Sequence, residues 1–205
     1  MFLTLKETID RLEISTISDE RIELLDPIAA KWSDILSNEG RLNIIFICTH
    51  NSRRSHLAQL WAQAISIYFG IEGIQTYSGG TEATRVYPTV LEILEVQGFE
   101  MLRLSQEDNP VYALKYGDTE VPSIAFSKEY GHDFNPSHGF SAIMTCTEAD
   151  GGCPFVAGAS SRFSLPYEDP KTSDGSSEEL ETYTERSLQI ATELKYIFQK
   201  IKKTV

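Results

Sequence analysis

The sequence predicts an α/β protein built on a doubly wound parallel sheet. Apolar runs typical of buried strands alternate along the chain with segments of helical periodicity. The first run, residues 43–48, is rich in β-branched residues and has no polar alternation, as in a strand covered on both faces. A chain of 205 residues is long enough for one such domain with a sizeable core and short for two.

The first 41 residues predict a helical extension that carries no chemistry of its own. Thr4–Glu7 has the form of a capping box and predicts the start of one helix. Asp26 and Pro27 predict the N-cap and first residue of another, which ends near Gly40. This second helix has an apolar stripe, which must pack on the main domain or form a dimer contact. The stripe consists of Ile28, Trp32, Ile35 and Leu36.

Strands and helices alternate through a predicted main domain at residues 42–205. Strands are expected at 43–48, 74–78, 141–146 and 162–165, and helices at 55–69, 88–97 and 177–201. An insertion at about 107–138 contains two β-rich runs, 111–116 and 123–128, which predict a β-hairpin. A lid, a partner surface and a dimer arm are the roles open to it.

Composition excludes several classes of function. Hydrophobic residues make up 41% and charged residues 23%, a balance typical of soluble globular proteins. The net charge of −12 argues against nucleic acids and anionic membranes as partners. With no long apolar stretch and no secretory signal, a cytoplasmic protein is expected. Three cysteines are an odd number and too few for a disulfide scaffold, which favours a reducing compartment.

A polar loop between the first strand and the following helix is the strongest candidate site. It reads Cys48-Thr49-His50-Asn51-Ser52-Arg53-Arg54-Ser55 and is called the Cys48 loop below. A loop that enters a helix N-terminus presents backbone N–H groups and positive potential to an anion, and the same field favours a thiolate at Cys48. Arg54 adds a planar, permanently charged fork for a tetrahedral oxyanion.

Other side chains of the Cys48 loop have supporting roles open to them. Ser55 can donate its hydroxyl to the cysteine sulfur, and Asn51 tolerates a positive φ. Arg53 either recruits substrate or points to solvent. His50 and His56 flank the loop, and solvated side chains are favoured for both over a contact with the leaving group. The alternative for the whole loop is a buried structural cysteine with an arginine nearby by coincidence.

With this strand, loop and helix, residues 43–203 resemble the low-molecular-weight protein tyrosine phosphatases and the related thioredoxin-coupled arsenate reductases. Two further motifs carry the resemblance: Tyr77-Ser78-Gly79-Gly80-Thr81-Glu82-Ala83 after the second strand, and Glu168-Asp169-Pro170 near the end. The resemblance implies a four-stranded parallel sheet flanked by helices, with Ser78 bracing the Cys48 loop. It implies thiol chemistry on an oxyanion or phosphate ester, and we expect no cofactor and no metal.

The resemblance places the general acid at Asp169, held in place by the stiff Pro170. Glu168 is the neighbouring alternative, and an ordinary Asp-Pro turn is the structural one. The phosphatases usually carry aromatic residues after this dipeptide to hold an aryl substrate. Residues 171–173 are Lys-Thr-Ser here, which weakens the tyrosine-phosphatase interpretation.

Cys146 and Cys153 distinguish the two enzyme classes. The intervening glycines and acids predict a mobile, exposed segment, which a thiol relay requires. Similar reductases carry two cysteines at this spacing. The resemblance implies that Cys48 attacks arsenate, Cys146 attacks Cys48, and Cys153 closes a Cys146–Cys153 disulfide that thioredoxin reduces. Simple burial of Cys146 is an alternative, and so is a metal site, although His132 and His138 lack a standard ligand spacing.

The sequence therefore predicts a thiol-based enzyme that reduces arsenate to arsenite. The alternative is a phosphatase that hydrolyses phosphotyrosine or small aryl phosphates through a Cys48 phosphoenzyme, with Asp169 as acid. A phosphate-sensing module without turnover is a third hypothesis, but such a protein would have no use for a nucleophile or an acid.

Overall fold

Two sheets and their flanking helices make up the computed structural model, which describes residues 1–152 and 155–204. The helices are α1 (Leu3–Arg11), α2 (Asp19–Glu39), α3 (Arg54–Tyr68), α4 (Pro88–Val96), α5 (Thr147–Gly152) and α6 (Glu179–Thr204). The strands are β1 (Leu42–Cys48), β2 (Ile74–Gly80), β3 (Glu100–Arg103), β4 (Tyr112–Lys115), β5 (Ser123–Ala125), β6 (Phe140–Met144) and β7 (Ala159–Ser164).

The main sheet is parallel, with strand order β2-β1-β6-β7, which confirms the predicted four-stranded fold. Alternate residues of β1 face opposite cores. Ile44 and Phe46 lie in the large core with α2, α3 and α6, whereas Ile45 and Ile47 lie in a smaller core with Ala149 of α5. Since β1 is covered on both faces, its continuous apolar run is explained.

The second sheet contains one strand more than the predicted hairpin. β4 and β5 pair antiparallel as expected, in a shorter form, and β3 adds to the other side of β4. Most side chains of β3 are exposed, so its sequence has no apolar alternation from which a strand could be predicted. The chain after β5 returns to the main sheet, where the Gly80 amide donates to the Lys128 carbonyl over 2.8 Å.

The first predicted helix start in the extension is correct to within one residue, whereas the second is wrong. α1 begins at Leu3 after Phe2, so Thr4 lies inside the helix and does not cap it. α2 begins at Asp19, eight residues before the expected first residue Pro27, and Ser18 caps it by accepting from the Arg21 amide over 3.4 Å. Pro27 therefore lies inside the helix, at the cost of one backbone hydrogen bond. The end at Gly40, with φ 68°, is as predicted.

The extension packs on the main sheet and shares its core. Ile28 and Trp32 of α2 are fully buried, and Ile35 and Leu36 are nearly so. The Trp32 indole donates to the Ser141 hydroxyl of β6 over 2.9 Å, so the packing satisfies the one polar atom of that ring. Within the described ranges, no helix is long and apolar enough to cross a bilayer.

Candidate active site

The Cys48 loop lies at the carboxyl end of β1, between its neighbours β2 and β6, and leads into α3. It passes so close to the end of β2 that Gly80 has no room for a side chain. A Cβ at Gly80 would lie 2.7 Å from the Thr49 carbonyl oxygen and 2.8 Å from the Asn51 amide nitrogen. The glycine in the motif after β2 is therefore required by the shape of the loop.

The carbonyl groups of the first five residues of the Cys48 loop all accept hydrogen bonds from outside the loop. The oxygens of Cys48, Thr49, His50, Asn51 and Ser52 contact, in that order, the Thr81 amide, the Glu82 amide, the Ser127 hydroxyl, the His56 ring and the Tyr87 amide. Among the described residues, no group accepts from the amides of residues 49–53. These amides are therefore available to an anion bound at the loop, as in other backbone anion sites.

Cys48, Ser55 and Asn51 form a short hydrogen-bonded chain. Cys48 is 4% exposed, and its sulfur lies 3.1 Å from the Ser55 hydroxyl. The Asn51 amide donates to the same hydroxyl over 2.8 Å, so the hydroxyl proton is left to point at the sulfur. Asn51 has φ 44°, as expected for a residue that tolerates the left-handed region. The Ser55 hydroxyl is thus placed to donate to the Cys48 sulfur.

His56 is buried, and the expectation of a solvated side chain is wrong for it. Its Nε2 lies 2.9 Å from the Asn51 carbonyl oxygen and its Nδ1 lies 3.2 Å from the Ser78 hydroxyl. Burial lowers the pKa of His56 to about 3, with a smaller effect from the nearby Lys128 charge. A neutral ring that donates from Nε2 and accepts at Nδ1 satisfies both contacts. Ser78 therefore braces the loop through His56. His50, in contrast, is partly exposed, and its Nε2 lies 3.7 Å from the Glu82 carboxylate.

We expect His56 to make the protein less stable in mild acid. Between its folded pKa of about 3 and its ordinary 6.5, the unfolded chain binds a proton that the native chain does not, so stability falls as pH falls. Between pH 7 and pH 5 this contributes about 2 kcal/mol to the loss in the free energy of unfolding. Urea titrations of His56→Gln should show that much less loss, while the exposed His138→Gln control keeps it. An undiminished loss in His56→Gln would contradict the assignment.

Arg54 and Asp169 meet across 115 positions of sequence. The Arg54 Nη2 lies 2.5 Å from the Asp169 carboxylate, and Nη1 donates to the Tyr167 carbonyl over 2.9 Å. Asp169 caps the 3-10 helix Pro170–Ser173 by accepting from the Lys171 amide. Glu168, the neighbouring alternative, is 90% exposed and pairs with Arg186 of α6 instead. Of these two neighbours, Asp169 is therefore the one whose carboxylate contacts the Cys48 loop.

Arg53 points neither to solvent nor into the loop. Its guanidinium pairs with Asp174, donates to the Tyr183 hydroxyl over 2.5 Å, and lies 4.1 Å from the centre of the Tyr87 ring. The alternative in which Arg53 points to solvent is therefore wrong. Its backbone amide, like those of residues 49–52, has no acceptor among the described residues. Its side chain makes contacts that the sequence did not predict.

Cys146 lies beside the Cys48 loop. Its side chain is fully buried, and its sulfur is 3.5 Å from the Thr49 hydroxyl. The Ala149 amide donates to the same sulfur over 3.4 Å, at the first turn of α5. Residues 147–152 form this helix, in which the Asp150 amide donates to the Cys146 carbonyl, and most of them are exposed, as expected. Cys153 lies outside the described residues.

The insertion supplies contacts to the loop that the sequence did not predict. The Lys128 amide donates to the Asn51 side chain over 2.9 Å. The Lys128 side chain is itself buried, 4.4 Å from the centre of the Phe126 ring, and burial lowers its pKa to about 7. Nothing in the sequence of the run 123–128 indicates that Lys128 is buried. In the two described ranges, no group of three or more His, Cys, Asp or Glu is placed to hold a metal ion.

Comparison with known proteins connects this geometry to one superfamily. Residues 43–109 match the family model described as low molecular weight phosphotyrosine protein phosphatase. The chain is 29% identical to arsenate reductase 2 of Staphylococcus epidermidis over 128 residues. This aligned region covers 62% of this chain and 77% of that protein.

Two solved structures share the fold. A YwlE mutant from Bacillus subtilis has a TM-score of 0.54 and 16% identity, over 78% of this chain and 99% of that one. A low molecular weight phosphotyrosine phosphatase from Vibrio cholerae has a TM-score of 0.52 and 14% identity, over 75% and 92%. These similarities confirm the resemblance to the low-molecular-weight phosphatase superfamily, with its similarity to arsenate reductases, and both classes are enzymes.

Proposed function

We propose that this chain, which has the fold of the low-molecular-weight phosphatases and is similar in sequence to arsenate reductases, reduces arsenate to arsenite through Cys48. The observation that carries this proposal is the position of Cys146. Its sulfur lies 3.5 Å from Thr49, the residue directly after Cys48, in a chain with three cysteines in all. A phosphatase needs one nucleophilic cysteine, whereas a reductase needs a second thiol next to the first.

In the first step the Cys48 thiolate attacks arsenic and an S–As bond forms. The amides of the Cys48 loop and the Arg54 guanidinium hold the oxyanion, and Ser55 donates to the sulfur before attack. One As–O bond breaks, and the oxygen leaves as water after taking a proton. Asp169, in contact with Arg54, supplies that proton.

In the second step the Cys146 thiolate attacks the Cys48 sulfur. The S–As bond breaks, its electron pair stays on arsenic, and As(V) leaves as As(III) in arsenite. Cys153 then attacks the Cys146 sulfur of the new disulfide, which releases the Cys48 thiolate and forms a Cys146–Cys153 disulfide. Two electrons from a dithiol such as thioredoxin restore both thiols. The role of Cys153 is supported by the family resemblance and its spacing from Cys146.

Phosphatase activity is the second candidate, and the family model that matches residues 43–109 favours it. Cys48 would form a phosphoenzyme and Asp169 would protonate the leaving alkoxide. The Lys171-Thr172-Ser173 sequence after Asp169-Pro170 provides no aromatic ring for an aryl group there. Aryl phosphates are therefore expected to be poorer substrates than arsenate. A cytoplasmic location, where thioredoxin is kept reduced, belongs to the same proposal.

One assay distinguishes the two candidates. Purified protein is given arsenate with thioredoxin, its reductase and NADPH, and in parallel 4-nitrophenyl phosphate. Arsenite should form catalytically and in proportion to the NADPH consumed, and omission of thioredoxin should stop it. Efficient phosphate-ester turnover without any arsenite would overturn the reductase proposal in favour of the phosphatase.

A further inference from the structure

Two consecutive arginines of the Cys48 loop hold one segment at its two ends. Arg54 pairs with Asp169, directly before the 3-10 helix Pro170–Ser173, and Arg53 pairs with Asp174, directly after it. Segment 169–174 therefore lies at the N-terminus of α3 and is held to the loop by two ion pairs. A bound oxyanion would weaken the Arg54 ion pair but not the Arg53 ion pair.

The ion pair between Arg54 and Asp169 is weakened when substrate binds and reacts. The guanidinium has five N–H donors in a fixed fork, and an oxyanion in the loop competes with Asp169 for them. In addition, an Asp169 that is protonated to act as an acid loses the charge that attracts Arg54. When the acid is needed, the contact between Arg54 and Asp169 is at its weakest.

The ion pair between Arg53 and Asp174 does not depend on bound substrate. The Arg53 side chain is 11% exposed and lies between the Asp174 carboxylate and the Tyr87 ring. The Tyr183 hydroxyl accepts from Arg53 and donates to Asp174 over 2.6 Å, which closes a three-membered network. Tyr183 also stacks on Tyr87, with ring centres 5.5 Å apart. An arginine that bonds two partners through its planar guanidinium and stacks on a ring is rigidly held.

We propose that Arg53 is a positioning residue that keeps Asp169 over the Cys48 loop when substrate draws Arg54 away from it. Arg53 acts through Asp174 and Tyr183 and does not touch the reacting atoms. This inference rests on the proposed function, because it assigns Asp169 the role of acid. It also explains why the Arg53 side chain turns away from the anion site although its neighbour faces it.

The test is a double-mutant cycle on arsenite formation. Arg53→Ala should lower kcat about 10-fold or more, with KM for arsenate changed less than about 2-fold, since proton transfer rather than binding is affected. In an Asp169→Asn background the same change should have almost no further effect. Arg53→Lys, which keeps the charge without the planar fork, should restore part of kcat. Arg186→Ala, which removes the exposed pair to Glu168, should leave the rates unchanged.

Two results of this cycle would contradict the proposal, and each points to a different role for Arg53. An equal loss of kcat from Arg53→Ala in both backgrounds would show a general structural role and overturn the proposal. A rise in KM at unchanged kcat would make Arg53 a substrate-recruiting residue instead.

A protein that forms no arsenite would contradict the proposed function but not decide the role of Arg53. In that case the role of Arg53 is tested by amide hydrogen exchange, measured with and without inorganic phosphate. Phosphate should raise exchange at residues 171–174 about 10-fold or more in Arg53→Ala and leave it low in the wild type and in Arg186→Ala. Equal exchange in all three proteins would overturn the positioning role.

Discussion

Cys48→Ser is expected to reduce arsenite formation to background, a loss of about 10⁴-fold or more. An alcohol is a far weaker nucleophile than a thiolate, is not ionised near pH 7, and cannot form the disulfide on which the reduction depends. The backbone of the Cys48 loop and Arg54 are unchanged by this substitution, so binding of inorganic phosphate should persist. The measurements are arsenite formation and, for binding, calorimetric titration with phosphate.

Retained phosphate binding is the control in this experiment, because it shows that the loop is still folded. Phosphate-ester turnover should be lost to the same degree as arsenate reduction, since both begin with the same attack. A Cys48→Ser protein with wild-type turnover of either substrate would disprove the assignment of the whole site.

Cys146→Ser is expected to abolish arsenite release while sparing 4-nitrophenyl phosphate hydrolysis to within about 2-fold. The substitution removes the thiol that attacks Cys48, and it leaves the nucleophile, the loop amides and Asp169 in place. Serine is close in size to cysteine, so the buried site beside Thr49 stays filled. Single-turnover mixing with arsenate and measurement of arsenite check the result.

Cys153→Ser is the matched comparison, because it removes the third thiol of the proposed relay and not the second. It should release one equivalent of arsenite and then stop, with Cys48 and Cys146 joined. Catalytic arsenite formation by Cys146→Ser would show that Cys146 is merely a buried residue beside the loop.

The acid segment and α5 show where sequence reasoning reaches its limit. Asp169 could be chosen over Glu168 from the family resemblance, but its contact with Arg54 depends on two segments 115 positions apart. The segment after Cys146, rich in glycine and acids, predicted an exposed stretch but gave no indication of a helix, and the structure contains a helix there. Packing of Ala149 in the smaller core supplies the stabilisation that local propensity lacks.

The sequence by itself determined the strand, loop and helix around Cys48, the parallel sheet, and the candidate nucleophile and oxyanion ligand. These follow from local periodicity, from glycine at turns, and from a motif whose spacing is set by one loop. The number of strands in the sheet and the candidate acid Asp169 follow from the family resemblance. Tertiary structure decided the rest: the burial of His56 and Lys128, the partners of Arg53, and the position of Cys146 at the loop. Whether a polar side chain is buried or paired depends on segments far away in the chain, and no local pattern records those contacts.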